Sequence, residues 1–469
     1  MTVSDSNDVG RTRVFLSALP ARIRTWLTDH SDTSRAQRMA GSAFLIRVAS
    51  AGLLYLSQVL LARWMGTFEF GVYVYVWTWV LLIGGFGDIG LALAAQRFIP
   101  EYSEHKAIAL LRGFLVGSRW LAIGIATALA VAAALGVTLM KPWLNHYELI
   151  PLYLACMCLP FYALTGVQDG IARSYNWTHI GLLPPFIVRP SLMIGLMTAA
   201  YGAGLPVDAT TALLAAVGAT WLTAIGQLFA LNRRLAREVE AGPKAYAVGT
   251  WLGTSFPIFM VEGFYLLLTY TDVLMLQQFR PPEDVAVYYA AAKTLALVAF
   301  VYFSVAAATA HKFTAYHIAG DRERLAAFVV DAVRWTFWPS LAATLVILAL
   351  GRPFLWLFGP TFVDGYPVMF VLAIGLLARA SVGPVERLLN MLGEQRACAL
   401  VYAGAFAFNV VACVILIPRL GMLGAAIATA TALAAESILL FWVTKRRLGI
   451  HAFVWRRSPR ALGGTAGSP

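Results

Sequence analysis

Residues 265–279 read YLLLTYTDVLMLQQF, a run in which one carboxylate, Asp272, stands among Leu, Val and Met with no neighbouring base to neutralise it. The rest of the chain shows what kind of interior would hold such a charge. Of its 469 residues 59% are hydrophobic and 13% charged, with mean hydropathy +0.71. Soluble domains are roughly half apolar and about a quarter charged, so the composition points to lipid. Apolar runs of about 20 residues, enough to cross a bilayer, recur throughout. We read twelve spans, at 40–62, 70–96, 110–140, 150–172, 182–203, 209–231, 251–279, 285–310, 326–350, 367–388, 397–417 and 421–444. Pro184, Pro185 and Pro190 interrupt the fifth, which poses the question of whether it forms one unbroken helix.

The basic residues orient these spans. With the N-terminus on the cytoplasmic side, the outer loops hold only Arg63, Lys141, Arg280, Arg352 and Arg419. The clusters Arg22, Arg24, Arg35, Arg38; Arg233, Arg234, Arg237; Arg322, Arg324; and Lys445, Arg446, Arg447 fall inside. Of 36 Lys and Arg, 25 lie on the inner side, 5 on the outer side and 6 within spans. Both termini are thus expected in the cytoplasm, and the net charge of +12 is a topology signal that needs no nucleic acid to explain it. The expected organisation is a basic tail (1–39), a six-helix lobe (40–236), a cytoplasmic linker (237–250), a second six-helix lobe (251–446) and a basic tail (447–469). No apolar core precedes the first span, so no signal peptide is read. VFLSALPARIRTWL at 14–27 spaces Phe15, Leu19, Ile23 and Trp26 at helical intervals, but Pro20 interrupts it. It reads equally as an interfacial helix or a frayed tail.

Several formal motifs carry no chemistry here. GFGDIG at 85–90 matches the dinucleotide fingerprint but lies in a membrane span with no strand before it, so its glycines read as close-packing residues. Cys156, Cys158, Cys398 and Cys413 lack metal or disulfide spacing. Asn176-Trp177-Thr178 is a sequon on the expected cytoplasmic side. No HExxH, P-loop or catalytic triad is visible, and the longest outer loop, 351–367, is too short for a catalytic domain. No enzyme activity, cofactor or metal site is expected.

Sliding the chain on itself reveals a duplication. At an offset of 215, Tyr55 falls on Tyr270, Tyr73 on Tyr288, Phe98 on Phe313, Arg119-Trp120 on Arg334-Trp335, Glu69 on Asp284 and Arg97 on Lys312. KPWL at 141–144 echoes RPFL at 352–355 at an offset of 211. Six spans per half leave both halves in the same orientation, related by a pseudo-two-fold axis along the membrane normal. The expected fold is therefore an all-α polytopic membrane protein of two six-helix lobes with a V-shaped central cleft.

Glu262, Tyr265, Thr269 and Asp272 share one face of the seventh helix. The positions 215 earlier, Arg47, Ser50, Leu54 and Ser57, are polar at three of four places. Two such stripes suggest a shared surface, the cleft between the lobes, where water or a polar ligand offsets the cost of an intramembrane charge. A structural ion pair, such as Arg47 with Glu262, is the alternative. Asp88 is a third candidate acid. The six intramembrane cations, Arg47, Arg119, Arg189, Lys293, Arg334 and Arg379, suit an anionic ligand held through phosphate oxygens, and the acids suit a coupling proton or sodium ion.

LARWMGTFEFGVYVYVWTWVLLIGGFGDIGLALAAQRFIPEY (61–102), YTDVLMLQQFRPPEDVAVYYAAAKTL (270–295) and NVVACVILIPRLGMLGAAIATATALA (409–434) resemble recurring stretches of bacterial Wzx-like oligosaccharide flippases. Their exporter superfamily also holds the MATE antiporters and the lipid II flippase MurJ. The likeness covers about 40–448. It implies a cleft lined by the first two helices of each lobe. The implied cargo is an oligosaccharide on polyprenyl pyrophosphate, carried to the periplasmic leaflet of the bacterial inner membrane by a proton or sodium gradient. It also implies a monomer working beside a polysaccharide polymerase or glycosyltransferase. On this likeness Asp272, in TD-x-x-M, and Asp88, in GFGD, are ion-coupling residues. The tail at 446–469 lacks the extra spans expected of lipid II flippases, which favours the polysaccharide branch. The rivals are a MATE-type drug antiporter, which favours an acid-rich cleft, a glycan polymerase or ligase, and an inert scaffold.

Overall fold

The computed structural model describes residues 32–455, with the side chains of 32–48, 307, 310 and 311 left aside. The stretch at 14–27 lies outside them. By contact the chain forms two units, one ending at Ala51 and one beginning at Gly52; the packed core belongs to the second. All regular structure among the described residues is helical.

The longest element, α1 (Asp32–Phe86), runs 55 residues. At 1.5 Å per residue it extends about 80 Å, far more than the roughly 30 Å hydrocarbon layer, so it cannot be one crossing. Gly66 breaks it with φ 75° and ψ −180°, a conformation open to glycine, and this break separates the first two spans. A turn at 87–90 interrupts the second span before α2 (Leu91–Glu104) completes it. The third and fourth spans are α3 (Ile108–Met140) and α4 (His146–Ser174). The fifth begins as α5 (Thr178–Leu183), passes through a π-helical turn at Pro184–Val188, and continues as α6 (Arg189–Gly202). The prolines there widen the helix without ending it, because a π turn accommodates the lost amide bonds.

The sixth span is α7 (Ala209–Glu238), capped by the Asp208 carboxylate on Thr211 N–H at 2.8 Å. After an extended linker come α8 (Val248–Phe279) and α9 (Pro282–Leu295), which a short 3₁₀ turn joins to α10 (Ala299–Ile318). The ninth span is α11 (Arg322–Ala349), followed by the short α12 (Gly351–Phe358). The tenth runs through α13 (Tyr366–Val382) into α14 (Val385–Met391), and α15 (Gln395–Leu420) and α16 (Met422–Leu448) complete the chain. Among the described residues eleven segments are long and apolar enough to cross a membrane, and the first, Ala49–Glu104, carries two of the twelve expected spans. The protein is a multi-pass membrane protein. Its exposed Trp120, Trp143, Trp335, Trp338, Trp356 and Trp442 are what a lipid-facing and interfacial surface needs.

The duplication reappears as packing. In the first half the third span packs on the fourth, the fourth on the sixth, the fifth on the sixth and the second on the fourth. In the second half the ninth packs on the tenth, the tenth on the twelfth, the eleventh on the twelfth and the eighth on the tenth. After α16, residues 450–454 turn back onto the second half, with Val454 N–H bonded to Ser381 O at 3.2 Å.

The two halves meet along the second span and α8, from Trp251 against Tyr102 to Gln278 against Tyr75. They also meet at the end opposite the basic clusters. There Arg63 donates to Trp356 O at 2.6 Å and Leu357 O at 2.7 Å, capping the C-terminus of α12. Gln277 donates to Glu148 Oε1 at 2.9 Å, at the start of α4. Gln278 is the repeat mate of Arg63, so the end of the first span in each half grips the opposite half. Between these latches Phe70 packs on Tyr289, Phe358 and Phe362, and a Cβ on Gly71 would overlap the Pro282 carbonyl.

Candidate functional site

Two cations from opposite halves stand against one group of aromatic rings. Arg189 opens α6, eleven residues past Thr178, and Lys293 lies in α9, eleven residues past Pro282; each is near the middle of a 25-residue membrane segment. Among the described residues neither has a carboxylate within ion-pair distance. Aromatic faces hold them instead. The Arg189 guanidinium lies 5.8 Å from the Trp77 ring centroid and 5.1 Å from that of Tyr162, and Lys293 Nζ lies 5.0 Å from Tyr289. The Tyr270 hydroxyl is within electrostatic reach of Tyr162, Tyr289 and Arg189, and Tyr73 within reach of Tyr289 and Arg189. The π turn that ends at Val188 fixes where Arg189 projects. The arrangement is a tyrosine-walled site bearing two cations with no ion-pair partner among the described residues, chemically suited to an anion.

Asp272 occupies a different place. It is 6% exposed, and its Oδ2 accepts from Tyr288 Oη at 2.6 Å and Thr429 Oγ1 at 3.3 Å, while Oδ1 accepts from Val273 N–H at 2.8 Å. It lines a cavity of about 330 Å³ walled by Tyr265, Thr269, Tyr302, Ser340, Arg379 and apolar residues, all from the second half. For Asp272 itself the expectation of a place on the cleft between lobes is therefore corrected, its neighbours being residues of its own half. Not all of the stripe follows it: Glu262 and Thr269 are exposed, and Glu262, within electrostatic reach of Asp88 and Arg173 of the first half, shares a face of α8 with Ser255, Phe259 and Leu266, which meet the second span. Lys293 is close enough for its charge to act on Asp272, so the cavity and the cationic site adjoin.

The other predicted residues are dispersed. Arg119 is buried and committed to Leu115 O and Asn232 Oδ1, both at 2.6 Å. Arg379 is paired with Glu386 at 4.0 Å and Glu436 at 3.8 Å. Arg334 is half-buried in α11, and the side chain of Arg47 lies outside the described ones. Asp88 sits in the turn that interrupts the second span, its Oδ1 accepting from Gly90 N–H at 2.9 Å, and Glu262 is exposed on α8 within electrostatic reach of it. The alternative ion pair between Arg47 and Glu262 falls on a side chain outside the described ones.

A family model described as "Polysaccharide biosynthesis protein" matches residues 38–310, more than half of the chain. The chain belongs to that family. No curated protein matches it in sequence. Among solved structures, an inward-facing multidrug resistance MATE transporter of the MOP superfamily aligns with TM-score 0.70 at 14% identity, covering 87% of this chain and 98% of its own. A MOP superfamily transporter from Pyrococcus furiosus, described by a binding pocket of reverse polarity, aligns at 0.67 with 15% identity, covering 91% and 97%. The lipid II flippase MurJ, in an inward closed conformation, aligns at 0.67 with 16% identity, covering 86% and 87%. These likenesses establish the two-lobe fold of this family member.

Sequence reasoning missed Tyr288 and Thr429 as partners of Asp272, and Glu386 and Glu436 as partners of Arg379. Glu436 carried the same signal as Asp272, a lone acid in the apolar run 422–444. Thr429 and Tyr288 are ordinary residues in apolar helices, and only the packing of α8, α9 and α16 shows what they do.

Proposed function

We propose that the protein is a flippase that moves an oligosaccharide linked to polyprenyl pyrophosphate from the cytoplasmic to the periplasmic leaflet of the bacterial inner membrane, by alternating access of its two halves. The observation that carries this reading is that Arg189 and Lys293, drawn from opposite halves and each near the middle of its membrane segment, stand against one group of aromatic rings with no carboxylate in ion-pair distance among the described residues. Arg189, with no such carboxylate, and Lys293, with Asp272 beyond ion-pair distance, favour an anion in lipid, and a pyrophosphate bridging the halves supplies it. The membership in a polysaccharide biosynthesis family supports a saccharide-bearing cargo. The basic end faces the cytoplasm, with both termini there. Asp272, with Asp88 and Glu262 in support, takes the coupling proton or sodium ion. Loading the Asp272 cavity changes the field at Lys293 and thereby the hold on the cargo. Arg379, Arg334, Arg119 and Arg47 shape the surrounding potential. The protein transports its cargo without transforming it, needs no cofactor, and acts as a monomer beside a polymerase or glycosyltransferase.

Deletion of the gene followed by mass spectrometry of membrane lipids tests this. Accumulated polyprenyl-pyrophosphate oligosaccharide, cleared by the wild-type protein and not by Arg189→Ala, is the expected result. An unchanged lipid pool with intact surface polymer, together with restored drug export on complementation, would replace it with an antiporter reading.

A further inference from the structure

The mechanism above leaves one buried acid unused. Glu436 lies in α16, fourteen residues past Met422, and is fully buried. Neither of its carboxylate oxygens has a hydrogen-bond donor. Its closest cation is Arg379 Nε at 3.8 Å, and Arg379 Nη2 lies 4.0 Å from Glu386 Oε2. The guanidinium is sandwiched between the rings of Tyr265 and Tyr302, each 5.2 Å away. Glu386 accepts from Asn390 Nδ2 at 3.1 Å and Tyr302 Oη at 3.5 Å. From α15, Tyr402 and Cys398 complete the surroundings, and the Tyr402 hydroxyl is buried without a partner.

The charge count is uneven. One arginine is shared by two glutamates, Glu386 partly exposed in α14 beyond the membrane segment Pro360–Val382 and Glu436 fully buried within the twelfth span. An ionised Glu436 is therefore incompletely compensated inside the membrane, which is strongly unfavourable. One further positive charge restores neutrality. A metal ion of the hard, oxygen-seeking kind needs about six oxygen ligands, and both carboxylates here are already directed at a guanidinium. A proton needs only one oxygen, and Glu436 has two that accept nothing. We propose that Glu436, held behind Arg379, which it shares with Glu386, is a proton-carrying site of the transport cycle, separate from Asp272, whose cavity Arg379 also lines.

Arg379 rests between the two acids at nearly equal distances, within hydrogen-bond length of neither. With Glu436 protonated, Glu386 is the stronger partner for the guanidinium; once the proton leaves, Glu436 competes for it. Glu386 belongs to α14, which follows the break at Gly383 (φ 62°) and Pro384, near the basic end. Proton exchange at Glu436 thus pulls on, or releases, the segment that closes that end of the second half. This assignment rests on the reading of the protein as a gradient-driven flippase, but its primary test does not need cargo.

The purified full-length protein in nanodiscs is examined by pH-difference infrared spectroscopy in the carboxylic-acid C=O region. A protonated buried carboxyl at neutral pH, lost in Glu436→Gln and retained in Asp272→Asn and Glu386→Gln, is expected. A band untouched by Glu436→Gln, or one abolished in the wild type by adding sodium chloride, overturns the proton assignment. Should Glu436→Gln not fold, Glu436→Asp must shift the band, and an unshifted band overturns the proposal. In proteoliposomes the acceleration of flipping by an imposed pH gradient falls about tenfold or more in Glu436→Gln and survives in Glu436→Asp. Loss of flipping in every variant with the infrared result intact would count against the cargo and leave the proton site standing.

Discussion

Arg189 and Lys293 differ in what they offer an anion, and the difference is measurable. Arg189 presents a planar fork held against Trp77 and Tyr162, Lys293 a single ammonium over Tyr289. Each substitution to Ala should lower flipping of the lipid-linked cargo by about tenfold or more in a proteoliposome assay, as expected for a charge-assisted contact of ~1.5–3 kcal/mol. Arg189→Lys keeps the charge and loses the fork, so it should fall between the wild type and Arg189→Ala. Asp272→Asn retains an acceptor for Tyr288 and Thr429, so thermal stability should change little while gradient-driven flipping drops about a hundredfold. A large fall in melting temperature with normal flipping would make that aspartate structural. Asp272 was legible from the sequence because an unneutralised acid in an apolar run is costly wherever it lies. Its orientation was not, since a face on one helix says nothing about which neighbour covers it. Arg119 and Arg379 looked like Arg189 in sequence; only the folded chain brings Asn232 to the first and Glu436 and Glu386 to the second.

Among the elements, the helices follow from hydropathy alone, while their interruptions follow from local chemistry that is harder to read. The π turn at Pro184–Val188 is signalled by its prolines, and the break at Gly66 only by a glycine that also suits a close-packed helix. The turn at 87–90 holds Ile89 at φ 44° and Gly90 at φ 74°, a strained place that the GFGDIG pattern marks without explaining. The latches at the end opposite the basic clusters give a prediction of their own. Arg63→Ala removes two charge-assisted bonds from the last carbonyls of α12, and Gly71→Ala drives a methyl group into the Pro282 carbonyl at a cost of about 1–3 kcal/mol. Both should shift the protein toward the form open at that end. Spin-label distances across the two halves would register this as a widened population, and an unchanged distribution would show that other contacts hold the end closed.

For the molecule as a whole, the duplication was visible in aromatic and basic anchors, and the matching order of helix packing in the two halves accords with it. What the repeat did not carry across is the acid. Tyr73 is the mate of Tyr288, but the mate of Asp272 is Ser57, and Tyr73 donates to Met193 Sδ. The tyrosine-held carboxylate at Asp272 therefore has no counterpart at the mate position of the first half. Orientation is open to direct test: an impermeant maleimide should label Trp143→Cys on intact spheroplasts and Arg234→Cys only after permeabilisation.

Backbone-to-backbone contact between Gly71 and Pro282 has a geometric consequence as well. With no side chain between them to compress, the two halves behave at that point like plates on a pin. About such a pin each degree of relative tilt moves the far ends by about half an ångström across the ~30 Å hydrocarbon layer, so a 10 Å mouth needs about 20°. A pin, however, admits motion only at the far side. The near side opens only when the pin itself comes apart, and the tilt must then turn about other contacts, those along the second span and α8 near Trp251 and Tyr102 being the ones in place. One axle cannot serve both doors: under the proposed alternating access the cycle would turn about two, with cargo passing in the interval between them.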